Sequence, residues 1–130
     1  RWTGHIDAGV SETLTDSTDL LPTVAEVGGA PISRKIDGVS IYPNLKDVKQ
    51  KVKDNLYFFY DPRPGWDKDQ FSRHVYAIDK RYKLYENGPL FDYKKDRLEQ
   101  QSILLSEDNE ETKRVRKKLQ HILDSMKMPL

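Results

Sequence analysis

Between Asn55 and Tyr93 the chain changes state every few residues, and that spacing constrains its fold more than any other feature. Residues 55–60 (Asn-Leu-Tyr-Phe-Phe-Tyr) are rich in the aromatics that favour strands. Asp61-Pro62-Arg63-Pro64-Gly65-Trp66 follows, and two prolines and a glycine forbid regular structure there. Strand-like runs return over 73–78, 82–86 and 89–93. Asn87-Gly88 between the last two is a tight-hairpin signal, since both residues tolerate positive φ. The connections 79–81 and 87–88 are short enough to join neighbours only in an antiparallel sense. The expectation is an α+β fold whose second part is a small antiparallel sheet of about four strands.

Helical signals flank this meander. Asp19 is a suitable N-cap, Pro22 falls in a first turn, and Gly28-Gly29 stops the helix. Leu20, Leu21, Val24 and Val27 supply its apolar face. Residues 1–8 read as a strand end and 12–17 as a short strand. A helical turn is expected after Ser40. Residues 46–53 are polar and mark a boundary between two parts, 1–46 and 47–130. At the far end, Val115, Leu119, Ile122, Leu123 and Met126 form one stripe at helical spacing. That predicts a helix over about 107–126, capped by Ser106 and packed on the sheet.

Composition limits the function classes. Of 130 residues, 36% are hydrophobic and 33% charged, a thin apolar supply for a free-standing domain but too much for disorder. The net charge of +1 gives no global field to attract nucleic acid or an anionic membrane surface. Five cations crowd residues 113–118, but the acidic stretch 107–111 offsets them, so a solvated helix face is expected. No cysteine is present, so disulfides and thiolate metal sites are excluded. No apolar run approaches the roughly 18 residues of a membrane span.

Four pieces in order carry a family resemblance. They are Arg1-Trp2-Thr3-Gly4, then Asp19-Leu20-Leu21-Pro22-Thr23 leading to Gly28-Gly29, then Asp37-Gly38-Val39-Ser40-Ile41-Tyr42-Pro43, then Tyr82-Lys83-Leu84-Tyr85 with Leu90-Phe91-Asp92, Asp96 and Glu99. Together they resemble the C-terminal part of the type I, formylglycine-dependent sulfatases, the arylsulfatase-like enzymes. Thr3 and Arg97 stand where that family commonly has proline. The resemblance implies a bacterial parent with an alkaline-phosphatase-like α/β fold that hydrolyses a sulfate ester, expected on a carbohydrate, in the periplasm or outside the cell. Residues 1–46 would end its catalytic domain and 47–130 would form its C-terminal subdomain. The parent would use formylglycine, made from cysteine or serine, and calcium. The nucleophile motif and metal aspartates of the family lie upstream, so no catalytic and no metal residue is assigned in this chain. Its implied partner is the missing catalytic domain. Isolated, it is expected to be inactive and to dimerise through exposed apolar surface.

Three residues are assigned to substrate contact. Arg63 offers a guanidinium for anions and Trp66 a face for stacking on a sugar. The competing reading is a stiff surface loop whose Trp66 covers the sheet. His74 lies on the following strand beside Arg73, and alternation lets only one of the two face a given pocket; a paired or solvent-facing histidine is the competing reading. Asp92, Asp96 and Glu99 are read as turn caps paired with Lys94, Lys95 or Arg97 rather than as a calcium cluster. A non-catalytic carbohydrate-binding or interaction module, and a related phosphodiesterase or phosphonate hydrolase, are the alternative functions.

Overall fold

The computed structural model describes residues 2–61, 70 and 72–127. The chain divides into two compact units, Arg1–Leu56 and Tyr57–Leu130.

The first unit is built on short helices and side-chain hydrogen bonds. Neither the strand end expected over 1–8 nor the strand expected over 12–17 forms among the described residues. The His5 and Ile6 amides both donate to the Trp2 carbonyl, at 3.0 and 2.9 Å, and Gly4 takes a φ of 82°. Further on, Ser11 Oγ accepts from the Thr13 amide and the Asp16 carboxylate from the Thr18 amide. Such local bonds compete with strand pairing. A 3-10 turn, Ser17–Asp19, leads into helix α1, Leu20–Gly28. Asp16 caps that turn, and Asp19 makes no side-chain cap bond to α1. The expected cap is therefore displaced by one turn, because the Asp19 carboxylate is turned inward. The end of α1 is as expected. Gly29 takes a φ of 66°, and the Ala30 amide reaches back to the Ala25 carbonyl at 2.8 Å. A second helix, α2, spans Tyr42–Lys46.

The interior of this unit is largely polar, with Pro22 and Leu56 its buried apolar residues among those described. Asp19, Thr23 and Asn44 are buried, while Leu20 and Val24 of α1 stand 65% and 67% exposed. Leu21 and Val27 are exposed too. The apolar face read from the sequence thus points outward. Thr23 Oγ donates to the Asp19 carbonyl at 2.6 Å and accepts from the Ile41 amide at 3.0 Å, tying α1 to the segment before α2.

The second unit is a four-stranded antiparallel sheet in the order β1–β2–β3–β4. Its strands are β1 Leu56–Tyr60, β2 His74–Ile78, β3 Tyr82–Tyr85 and β4 Leu90–Asp92. Ala77 pairs with Leu84, and Leu84 with Leu90. The β3–β4 connection differs from the expected two-residue turn. The Gly88 amide donates to the Tyr85 carbonyl and the Tyr85 amide to the Pro89 carbonyl, so Glu86, Asn87 and Gly88 form a three-residue loop. Only Gly88 takes positive φ there, 111°.

Helix α3, Glu110–Ser125, covers one face of the sheet. Leu119 and Leu123 pack with Val75, Ala77, Tyr82, Leu84 and Leu90, with Val115 and Ile122 at the margin. Met126 stays exposed. The helix begins three residues later than expected. Ser106 lies in a 3-10 turn, Leu105–Glu107, and Asn109 is the N-cap. Its Oδ1 accepts from the amides of Glu111 and Thr112 at 2.9 and 3.0 Å. Arg116 donates to Asp108, to the Gly88 carbonyl at 2.9 Å and to the Ile103 carbonyl at 3.0 Å. One guanidinium so ties α3 to the β3–β4 loop.

Candidate functional site

The sheet face opposite α3 carries the chemistry. Alternation along each strand turns Val75, Ala77 and Leu84 toward the helix and leaves His74, Tyr76, Lys83 and Tyr85 on the other side. Phe58 stacks on Tyr76 with ring centroids 5.0 Å apart. Tyr76 lies 5.4 Å from Tyr85, and Tyr85 meets Phe91 edge-on at 5.9 Å. Tyr60 stacks on His74 at 6.4 Å.

Lys83 occupies the middle of this aromatic face. Its ammonium sits 4.2 Å from the Tyr76 ring centroid and 4.7 Å from that of Tyr85. Lys83 Nζ and Tyr85 Oη both donate to the Glu99 carboxylate at 2.6 Å. Glu99 itself takes a φ of 55°, unusual for a residue with a side chain. Burial pulls the Lys83 pKa down, but bonds to Glu99 and Tyr85 outweigh it and leave it raised. Burial and the bond to Glu99 both raise Tyr85, against the opposing Lys83 charge. The ammonium and the phenol therefore both keep their protons at neutral pH, which suits binding rather than proton abstraction.

Two concavities open on this surface. One, about 370 Å³, is lined by Phe58, Tyr60, His74, Tyr76, Lys83 and Tyr85, with Phe59. The other, about 270 Å³, is lined by Arg73, His74, Val75, Tyr85, Glu86 and Asn87. His74 and Tyr85 belong to both. Arg73 and His74 keep the expected alternation: the Arg73 guanidinium lies over Phe59, 5.0 Å from its ring centroid, while His74 stacks with Tyr60, and the second cavity reaches round the end of β2, since Val75 of the α3 side lines it too.

Of the residues assigned from sequence, His74 is exposed on this face, and Arg63 and Trp66 lie outside the described residues. Asp92, Asp96 and Glu99 do not converge. Asp92 pairs with Arg81, Asp96 accepts from the Gln101 amide, and Glu99 serves Lys83 and Tyr85. Lys95 is among the groups that hold the Asp92 carboxyl low, as expected, but the chief partners of Asp92 and Glu99 are Arg81 and Lys83, and Asp96 takes the Gln101 amide. Among the described residues no three His, Asp or Glu side chains group as metal ligands, so no step through a metal is derived from them. The sequence reading gives Lys83 and Tyr85 no site role and Glu99 that of a turn cap. The alternation of Tyr82-Lys83-Leu84-Tyr85 signals that Lys83 and Tyr85 share a face. Nothing local signals the approach of Glu99.

Residues 1–128 match the family described as N-sulphoglucosamine sulphohydrolase, C-terminal. Human and bovine arylsulfatase A are each 39% identical over 59 residues, which is 45% of this chain and 12% of theirs. Among solved structures, BT4656, determined in complex with its substrate D-glucosamine-2-N,6-O-disulfate, overlays with a TM-score of 0.63 at 21% identity. The overlay covers 82% of this chain and 22% of that one. BT1596, a 2-O GAG sulfatase, overlays with a TM-score of 0.59 at 25% identity, over 82% of this chain and 23% of its own. The chain spans less than a quarter of each of these relatives.

Proposed function

Because the chain belongs to the N-sulphoglucosamine sulphohydrolase C-terminal family, we propose that it is the C-terminal part of a sulfuric ester hydrolase acting on a sulfated carbohydrate. The match over 1–128 carries this reading. The likeness to arylsulfatase A and to a 2-O GAG sulfatase supports it. In this reading residues 1–46 close the catalytic domain, and 47–130 are the C-terminal subdomain of an alkaline-phosphatase-like α/β enzyme. Formylglycine and calcium are supplied by the rest of the protein, where they provide the nucleophile and take up charge on the sulfate. His74, with Arg63 and Trp66, contacts substrate. No helix among the described residues is long and apolar enough to cross a membrane. A periplasmic or secreted location completes the proposal.

The test is sulfate release. A longer protein that includes the upstream reading frame is expected to liberate sulfate from 4-nitrophenyl sulfate and from a sulfated glucosamine. The 130-residue chain alone is expected to liberate none. Turnover by the chain alone, or inactivity of a folded longer protein on both substrates, overturns the reading.

The exposed side chains of α1 extend the proposal to assembly. Leu20, Leu21, Val24 and Val27 form an outward apolar patch of the kind that marks an interaction surface. The isolated chain is expected to self-associate with rising concentration in multi-angle light scattering. Leu20→Glu with Val24→Glu is expected to return it to monomer. A wild-type chain that stays monomeric at high concentration counts against it.

A further inference from the structure

We infer that the outer face of α3 is a docking surface for an acidic polypeptide segment, one that presents its carboxylates in a row. Residues 112–123 include five Lys and Arg and no Asp or Glu. The whole chain is only +1, so the rest of it is net acidic and the positive field is confined to this helix. Val115, Leu119, Ile122 and Leu123 turn to the sheet. Lys113, Arg114, Lys117, Lys118 and His121 are exposed on the other side.

The acids expected to offset these cations are taken up elsewhere. Glu107 accepts from the Leu104 amide at 3.1 Å. Asp108 holds Arg116 at 2.9 Å, and that guanidinium points inward to the Gly88 and Ile103 carbonyls. Glu111 pairs with Arg81, before β3, at 3.0 Å. At the other end of α3, Asp124 is held by Gln120 and Lys127, at 3.1 and 2.8 Å. Among the described residues only Glu110 meets a cation of the outer face, Lys113 at 3.1 Å. Both of those side chains are mostly exposed, so the pair contributes little and is easily exchanged. Arg114 gives its Nε to the Glu110 carbonyl at 3.3 Å. Lys117 and Lys118 have no partner among the described residues.

Spacing and residue type select the occupant. Lys113, Lys117 and His121 form one row and Arg114 with Lys118 a second, each advancing about 6 Å per four residues. An extended chain repeats its side chains on one face about every 6.7 Å. Alternate Asp or Glu residues of such a segment therefore meet successive cations of a row. Three of the four Lys and Arg on this face are lysines, point charges that pair with separate carboxylates. The planar fork that matches a sulfate or phosphate is present once, with its Nε already engaged. A bilayer is disfavoured because the apolar side of α3 is buried on the sheet and cannot enter it.

The experiment is a fluorescence-anisotropy titration of a labelled twelve-residue peptide of alternating Glu and Thr with the 130-residue chain. Binding is expected, and it should weaken at least about fivefold between about 50 and 300 mM salt as exposed charges are screened. A Gln-Thr peptide of the same length is expected not to bind. Lys117→Glu with Lys118→Glu is expected to leave the far-UV circular dichroism unchanged, since both side chains are exposed, and to weaken binding of the acidic peptide at least about tenfold. No binding at low salt, equal binding of the Gln-Thr peptide, or a double variant that binds as wild type overturns the inference. Dextran sulfate and phosphatidylglycerol vesicles are the remaining probes. A response to either that needs Lys117 and Lys118, with none to the acidic peptide, overturns it in favour of a sulfated polymer or a membrane. If the isolated chain aggregates, the same peptides and the same double variant are measured in the longer protein that includes the upstream reading frame, where each result reads the same way.

Discussion

Gly38→Ala is expected to destabilise the Arg1–Leu56 unit by at least about 3 kcal/mol, the upper part of the range for overpacking a filled site. A Cβ at position 38 would lie 1.9 Å from the Thr18 carbonyl oxygen, 2.4 Å from its carbon and 3.0 Å from the Asp19 nitrogen. All three are backbone atoms, so no change of rotamer relieves the clash. The backbone itself has little room to move. Thr18 sits in the 3-10 turn before α1, whose Asp19 carboxylate accepts from the Val39 amide at 2.8 Å on the residue after Gly38. Pushing 38 away from 18 breaks that bond. Glycine is required here for space rather than for positive φ. Trp2 fluorescence in a Trp66→Phe background follows this unit through urea unfolding. An unchanged midpoint in Gly38→Ala would show that the two segments do not approach so closely.

Asp19→Ala should cost about 3–5 kcal/mol, the usual loss when one member of a buried ion pair is removed. Asp19 is 1% exposed. It accepts from Lys53 Nζ at 2.7 and 2.9 Å, from the amides of Val39 and Asp16 at 2.8 and 3.1 Å, and from Thr15 Oγ. Alanine would leave two amides without this acceptor and Lys53 with Asp16 alone, at 3.0 Å. Asp19→Asn should cost less, since its shape and one acceptor oxygen survive.

The same cluster sets a pH window. Burial pushes the Asp19 and Asp16 carboxyls up, but their bonds, chiefly to Lys53 for Asp19 and to Thr18 for Asp16, hold both below the ordinary 3.8. Their contribution is present above 3.8 and is lost as pH falls through the depressed folded values. Burial pulls Lys53 down, yet its bonds to Asp19 and Asp16 raise it above 10.5. Its contribution is full below 10.5 and fades as pH rises through the raised folded value. The stability gap between wild type and Asp19→Asn should therefore be widest between these limits and close in acid. A gap that persists unchanged at low pH would mean that the ion pair does not carry it.

Local signals in the sequence foretold much of this molecule for one reason: they report on neighbours. The four strands lie within the segments that aromatic content and breakers marked out. Gly29 ends α1 because glycine alone takes that backbone conformation freely. The Leu119 and Leu123 stripe packs on the sheet because helical spacing puts both on one side. The ordered motifs carried the family resemblance, which the match over 1–128 bears out. His74 was legible as a polar residue on a strand and as a candidate for substrate contact.

What the tertiary structure decided lies in pairs far apart in the chain. Lys53 reaches Asp19 across 34 residues, Lys83 reaches Glu99 across 16, and Gly38 meets Thr18 through space alone. No periodicity encodes such partners, because each depends on how two segments fold back upon one another. The same holds for Asp19, a plausible cap by position that folding turned into a buried anchor, and for Asn109, which took the cap expected of Ser106. Local propensity determined which residues form helix and strand. The choice of partner for each buried charge waited on the fold, since a charge leaves water only where opposite charge and donors have been brought to meet it.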